Sequence, residues 1–285
     1  MKIAVLSGKG GTGKTLLSVN LAVVAERSRY IDCDVEEPNG HLFLKGDISE
    51  KKEVSVKIPV VDNSICTGCR NCIDFCKYNA LAFIYDKVMV MEELCHSCSG
   101  CIILCPEKAM TEKSKVIGEI NKAQFEDLSI LSGTLKIGEA SGVPIIKKLI
   151  KESQNDERLT IIDCPPGTAC TVMESIQEAD YCLMVAEPTL FSVHNLDMVH
   201  QLLQLFKKKF ALVINKYIDE DNPVEEFCRE KDIKILAKIP YDDKLGQINS
   251  SGMIAAREST DYKKLFSRLL DKILEEVDHE AAINS

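Results

Sequence analysis

The sequence predicts a doubly wound α/β fold with a mostly parallel sheet, interrupted by a cysteine-rich insertion. Three observations carry that reading. Short β-branched runs alternate with longer amphipathic stretches, a glycine-rich turn joins the first run to the first amphipathic stretch, and eight of the 13 cysteines crowd between positions 66 and 105. Strands covered by helices on both faces read as unbroken apolar runs, and the covering helices read as amphipathic. The chain, at 285 residues, is long enough for about two domains.

The predicted strands are 3–7, 30–34, 128–133, 160–163, 181–186, 210–215 and 233–239, and the predicted helices are 14–27, 142–152, 172–178, 193–208, 223–231 and 262–278. Their rhythm stops near Pro59 and resumes after Lys115, which divides the chain into an α/β domain (1–58 and 116–285) and an insertion (59–115). The insertion repeats itself. Cys66, Cys69, Cys72 and Cys76 recur 29 residues later as Cys95, Cys98, Cys101 and Cys105, Ile65 matches Leu94, and Asn79-Ala80-Leu81 matches Lys108-Ala109-Met110. Two half-domains around two equivalent centres are expected.

A net charge of −9 with 45% hydrophobic residues fits a soluble globular protein and argues against a nucleic-acid binder that works through a basic face. No charge-free stretch approaches the ~18 apolar residues of a membrane span. Met1-Lys2 leads straight into an apolar strand, so a cytoplasmic location is expected. In that compartment thiols stay reduced, and the clustered cysteines read as metal ligands rather than disulfides. The last predicted helix has one apolar face (Leu265, Phe266, Leu269, Leu270, Ile273, Leu274, Val277) opposite mixed charges. Membrane helices prefer a basic polar face, so this one is expected to dock on the domain.

Gly8-Lys9-Gly10-Gly11-Thr12-Gly13-Lys14-Thr15 satisfies G-x-x-x-x-G-K-[ST] between a predicted strand and a predicted helix. Such a loop turns backbone N–H groups toward phosphate oxygens at a helix N-terminus. Lys14 is expected on the β/γ-phosphates and Thr15 on Mg²⁺, with Leu16 closing the phosphate-binding set. Asp32, Asp34 and Asp163 end strands that should point at the same crevice. Asp163 is the expected Mg²⁺ partner, through water, and Gly167 could bring an N–H to the γ-phosphate.

With Lys9 the loop resembles the deviant Walker A motif of the MinD/ParA/Mrp superfamily, to which the nitrogenase iron protein is related. Asp32-Cys33-Asp34 resembles its switch I and Asp163-Cys164-Pro165-Pro166-Gly167 its switch II. The resemblance implies an ATP-sandwich homodimer in which Lys9 reaches the partner's nucleotide, and a role for Asp34 in positioning the attacking water beside Mg²⁺. Val213-Ile214-Asn215-Lys216 and Ile239-Pro240-Tyr241-Asp242 resemble the adenine-side segments, which makes Asn215 and Pro240 base-contact candidates; packed strand ends would explain both equally well. Cys170 matches one bridging cysteine of the nitrogenase iron protein, but no cysteine between 105 and 164 matches the other. A cluster shared across the dimer is therefore not expected. Cys33, Cys164, Cys182 and Cys228 read as small core residues.

Each cysteine run reads C-x₂-C-x₂-C-x₃-C, the spacing of bacterial ferredoxins with two [4Fe–4S] clusters, and Pro106 follows the second run whereas Lys77 follows the first. In that pattern the fourth ligand comes from the other run. One cluster is assigned to Cys66, Cys69, Cys72 and Cys105, the other to Cys95, Cys98, Cys101 and Cys76. Zinc sites usually separate two C-x₂-C knuckles by a spacer, which this spacing does not do.

The whole chain thus resembles MinD-superfamily ATPases with an inserted ferredoxin domain. The implied function is Mg²⁺-ATP hydrolysis that gates electron transfer through two [4Fe–4S] clusters to a protein partner. Alternatives are an iron–sulfur or metallocofactor assembly carrier and, less favoured by the net acidity, a MinD-like positioning ATPase with redox-sensing clusters. No nucleic-acid partner is expected.

Overall fold

The computed structural model describes residues 1–154, 158–218 and 222–283, with side chains to 278. A nine-stranded sheet organises the chain. Its strands are β1 (Lys2–Leu6), β2 (Arg29–Asp32), β3 (Asp47–Val61), β6 (Met110–Phe125), β7 (Leu128–Leu135), β8 (Thr160–Asp163), β9 (Tyr181–Ala186), β10 (Phe210–Tyr217) and β11 (Ile235–Pro240), while β4 (Leu81–Ile84) and β5 (Lys87–Val90) form a separate hairpin. The sheet order is β11-β10-β9-β1-β8-β2-β7-β6-β3. Strands from β11 to β7 run parallel, and β6 and β3 add antiparallel pairs at one edge.

The alternation predicted for doubly covered strands is visible residue by residue. Ile3 and Val5 of β1 enter one core with Tyr30, Ile161 and Leu183. Ala4 and Leu6 enter the other with Ile31, Ile162 and Met184. Helices α1 (Lys14–Val24), α9 (Asp243–Ser250), α10 (Ala255–Glu258) and α11 (Thr260–Ile283) supply side chains to the first core. Helices α5 (Val143–Glu152), α6 (Cys170–Ile176), α7 (Leu190–Leu205) and α8 (Pro223–Glu230) supply the second. The apolar face of α11 docks as its charge pattern predicts: Phe266 and Ile273 are fully buried. No described helix is long and apolar enough to cross a membrane.

The sequence reading misses β3 and β6, the two longest strands. They pair along nearly their whole length, from Asp47 opposite Gln124 to Val61 opposite Met110. The sheet half of this ribbon pairs with β7, from Gly118 opposite Leu135 to Phe125 opposite Leu128. Beyond Gly118 the ribbon leaves β7, with a register irregularity between Val54 and Ser55. The expected domain boundaries fall inside these two strands. The short α2 (Gly40–Phe43) lies between β2 and β3, and α3 (Asn71–Phe75) and α4 (Gly100–Ile103) lie within the cysteine-rich segment at the ribbon's far end.

The 29-residue repeat extends to the backbone. Left-handed residues recur in register at Gly68 and Ser97, Arg70 and Ser99, and Asn79 and Lys108. The turn bonds recur too: Ile73 N–H donates to Arg70 O as Ile102 N–H does to Ser99 O, and Asn79 N–H to Cys76 O as Lys108 N–H does to Cys105 O. Cys72 and Cys101 occupy equivalent buried positions in a small core with Leu81, Val88 and Met110.

Candidate functional site

Two sites emerge, one at the C-terminal ends of the parallel strands and one at the Val61–Met110 end of the β3–β6 ribbon. The first surrounds the loop from β1 to α1, at the centre of the sheet. Gly13 precedes α1 with φ +94, and a Cβ there would fall 2.2 Å from Asn215 Nδ2, so glycine is required both by the left-handed turn and by this close approach. No acidic residue sits in the first turn of α1, which leaves its positive end free to attract an anion. A pocket of about 400 Å³ opens here, lined by Lys9, Gly10, Gly11, Gly13, Lys14, Thr15, Leu16, Asp34 and Pro166 among others.

Buried polar groups hold the loop and switch residues in place. Lys14 Nζ lies 3.1 Å from Asp163 Oδ1, an oxygen that also accepts from Ser18 Oγ at 3.1 Å. Tyr30 Oη donates to Asp163 Oδ2 at 2.9 Å. Burial alone would lower the Lys14 pKa, but the Asp163 carboxylate outweighs it and the net shift is upward. Asp32 is buried, accepts from Gly40 N–H at 2.9 Å and Asp34 N–H at 3.1 Å, and is pushed up to about 7 by burial and by the charge of Asp163. It braces the loop after β2. Asp34, half-buried and facing the pocket, is raised by burial against the pull of Lys14.

Other expected residues have different neighbours. Lys9 Nζ is 2.6 Å from Glu187 Oε2 of its own chain and 5.5 Å from the centre of the Phe191 ring. Lys216 Nζ shares Glu187 at 2.5 Å and donates to Gly11 O at 3.1 Å. Burial opposes ionisation of Glu187, yet these two ammonium groups hold its carboxyl below the usual range. Gly167 N–H donates to Ser7 O at 2.9 Å. Asn215 is buried and gives its amide to Thr12 O at 2.8 Å, so it supports the glycine-rich loop from below. Pro240 ends β11 at an exposed position, and neither it nor Asn215 lines the 400 Å³ pocket. Leu42, Phe43 and Asn249 do line it, and the sequence reading missed them. Their approach depends on the path of the chain after Asp34 and after β11, which no local pattern encodes.

The second site lies at the far end of the ribbon. One cavity, of about 250 Å³, is lined by Cys76, Cys95, Cys98 and Cys101 together with Tyr78 and His96. Another, only about 20 Å³, is lined by Cys66, Cys69, Cys72 and Cys105. Each therefore takes three cysteines from one run and one from the other. Burial first, then the charges of Cys69 and Cys105, raise the Cys72 thiol, while burial and the charges of Cys95, Cys98 and Cys72 raise Cys101, so the two sets also feel each other. Ala109 N–H donates to Cys105 Sγ at 3.3 Å. The His96 ring stacks on Tyr78, 3.7 Å between centroids. Among the described residues no three His, Cys, Asp or Glu side chains gather tightly enough to hold a single metal ion. Four cysteine thiols around the 250 Å³ cavity are a donor set of the kind that holds a polynuclear iron–sulfur group, whereas the 20 Å³ cavity leaves little space among its four. Away from these sites, Cys33, Cys164, Cys182 and Cys228 are buried in the core, and Cys170 is exposed at the start of α6.

A glycine-rich loop opening a helix at the middle of a mostly parallel sheet, with a lysine–aspartate pair beneath it, defines a P-loop nucleotide-binding protein. The family model for the CobQ/CobB/MinD/ParA nucleotide-binding domain matches residues 3–255, and the chain belongs to that family. An uncharacterized protein of Methanocaldococcus jannaschii is 32% identical over 261 residues, covering 88% of this chain and 90% of the relative. An iron–sulfur cluster carrier protein of Pyrococcus horikoshii is 23% identical, covering 96% of this chain and 85% of the relative. The solved cell-division ATPase MinD of Pyrococcus furiosus shares the fold, with TM-score 0.61 at 19% identity, covering 96% of this chain and 98% of that one.

Proposed function

We propose that this chain is an Mg²⁺-ATP-dependent iron–sulfur protein in which nucleotide binding and hydrolysis gate electron transfer to a protein partner. The crossed lining of two cavities by four cysteines each, carried on a ribbon continuous with the nucleotide-binding sheet, is the observation that supports this reading most. Cys66, Cys69, Cys72 and Cys105 would hold one [4Fe–4S] cluster, and Cys95, Cys98, Cys101 and Cys76 the other. When bound, the clusters supply one-electron chemistry at potentials set by their surroundings. The Ala109 N–H···Sγ bond and the buried Cys72 and Cys101 are this chain's means of setting them.

At the nucleotide end, backbone N–H groups of Gly10 to Thr15 cradle the phosphates, and Lys14 neutralises charge on the β/γ oxygens. Thr15, and Asp163 through a water, would hold Mg²⁺, and Asp34, at the rim of the pocket, would orient the attacking water. Lys9 supplies further charge to the nucleotide of a second copy in an ATP-sandwich homodimer. For that role it must exchange Glu187 for phosphate. Asp34 is also where the chain departs toward α2, β3 and the cysteine-rich segment, so a change of contacts at Asp34 biases the position of the ribbon. Gating requires that the two nucleotide states differ in those contacts.

Anaerobic EPR of the dithionite-reduced protein with and without Mg²⁺-ATP, beside iron and zinc counts, tests the reading. About eight irons per chain with a nucleotide-sensitive signal is the expected result. Zinc without iron would overturn it. The similarity to an iron–sulfur cluster carrier favours a second reading, delivery of a cluster to an acceptor protein. An indifferent signal, with iron that moves to an apo-acceptor, would replace the first reading with the second.

A further inference from the structure

The Tyr30 hydroxyl belongs to neither the glycine-rich loop nor the switch aspartates, yet it touches one switch and packs against the exit of the other. Tyr30 is fully buried in β2. Its Oη donates to Asp163 Oδ2 at 2.9 Å, while Lys14 and Ser18 occupy Oδ1, so three donors orient that carboxylate. On its other side the ring fills the place of a side chain at Gly40: a Cβ there would lie 2.4 Å from Tyr30 Cε1 and 2.5 Å from the hydroxyl oxygen. Gly40 starts α2 and gives its N–H to Asp32 Oδ2 at 2.9 Å, so it is clamped between the ring and the end of the same strand.

Given the nucleotide-binding role of Asp163 proposed above, on which this rests, we infer that Tyr30 is a positioning residue: it orients Asp163 toward Mg²⁺-nucleotide and transmits the position of that carboxylate to Gly40, and so to the start of the ribbon that carries the cysteines. Close packing makes the transmission possible. Interior groups in van der Waals contact cannot move independently, and no space separates the hydroxyl from either neighbour. Asp163 cannot shift its Oδ2 without moving or releasing the phenol, and the phenol cannot move without displacing Gly40 from Asp32. Ser18 is the built-in control, because it also bonds Asp163, whereas the atoms that crowd Gly40 are those of Tyr30.

The test compares the full-length wild type with Tyr30→Phe, Ser18→Ala and Gly40→Ala. The measurements are nucleotide binding by a fluorescent ATP analogue across a Mg²⁺ titration and in EDTA, and amide hydrogen exchange at residues 40–61. Loss of a hydrogen bond to a charged group should raise the Mg²⁺ half-saturation about tenfold in Tyr30→Phe, with binding in EDTA unchanged. Gly40→Ala should raise it as well, from a position outside the nucleotide contacts. Mg²⁺-ATP should alter exchange at Gly40 and early β3 in the wild type and in Ser18→Ala, and should fail to do so in Tyr30→Phe. Tyr30→Phe keeps the ring, so the test stands even where Gly40→Ala does not fold. A wild-type Mg²⁺ response in Tyr30→Phe, an equal loss of affinity with and without Mg²⁺, or unchanged exchange at Gly40 in the wild type each overturns the inference. A wild type that binds no nucleotide would instead sink the reading beneath it.

Discussion

The sheet and the cysteine-rich segment share two strands but are stabilised in different ways. The sheet buries two extensive clusters of aliphatic side chains, one on each face, and at its nucleotide end Lys14, Ser18 and Tyr30 all bond the Asp163 carboxylate. The segment's cluster holds five buried residues, two of them thiols. The segment also holds Arg70, Asn79, Tyr85, Asp86, Ser97, Ser99 and Lys108 in left-handed conformations, each costing about 1 kcal/mol. A unit with that much backbone strain and so small an apolar core needs another source of stability, as small metal-binding domains generally do. On the function proposed above the same division appears in the chemistry: the sheet is preorganised, whereas the segment would gain its order from the clusters.

The sharpest way to break that comparison is at the nucleotide end. Lys14→Ala should lower ATP hydrolysis by about 10³-fold in a steady-state phosphate-release assay, while the iron content stays at the wild-type value. A loss of iron together with hydrolysis would mean that the two regions do not fold separately. Removing iron by anaerobic chelation should have the converse effect. Residues 62–109 should lose most of their amide protection, and the calorimetric transition of the sheet should persist.

A smaller effect is expected where the two regions meet. A Cβ at Gly118 would fall 2.2 Å from Thr134 O and 2.5 Å from Ile145 Cδ1, so Gly118→Val should destabilise the sheet by about 3 kcal/mol, read by urea denaturation of the apoprotein. The smallest effect belongs to His200, 4 % exposed between Phe210 and Phe227. Burial lowers its pKa below 6.5, with Asp197 opposing and Lys231 reinforcing the shift. The unfolded chain therefore takes up this proton first as pH falls, and stability declines from about pH 6.5 downward through the lowered folded value, with no dependence above it. His200→Leu should flatten that part of the stability–pH curve.

The main sheet was legible because its strands are apolar on both faces and its helices on one. The glycine-rich loop and the cysteine spacing were legible because their chemistry is written in consecutive residues. The ribbon was not. In β3 the exposed edge of the sheet carries Glu50, Lys51, Lys52, Glu53 and Lys57 among its apolar residues, so neither an alternating nor a continuous apolar pattern stands out, and Pro59 reads as a breaker although an edge strand tolerates it. The expected strand 30–34 ends earlier in the structure: Cys33 and Asp34 follow β2, and Asp34 stands in the loop that faces the pocket. Asn215 shows the limit of reading by motif. Its position near the nucleotide loop is as the motif implies, but its amide is committed to Thr12 O.

The pairing of Val61 with Met110 means that the chain leaves and re-enters the ribbon at one rung. A short turn replacing residues 62–109 would turn β3 and β6 into an ordinary hairpin and leave the rest of the sheet's hydrogen bonding intact. Acquisition or loss of the cysteine-rich segment is therefore topologically simple, and a different module grafted onto that rung would stand at the same end of the ribbon.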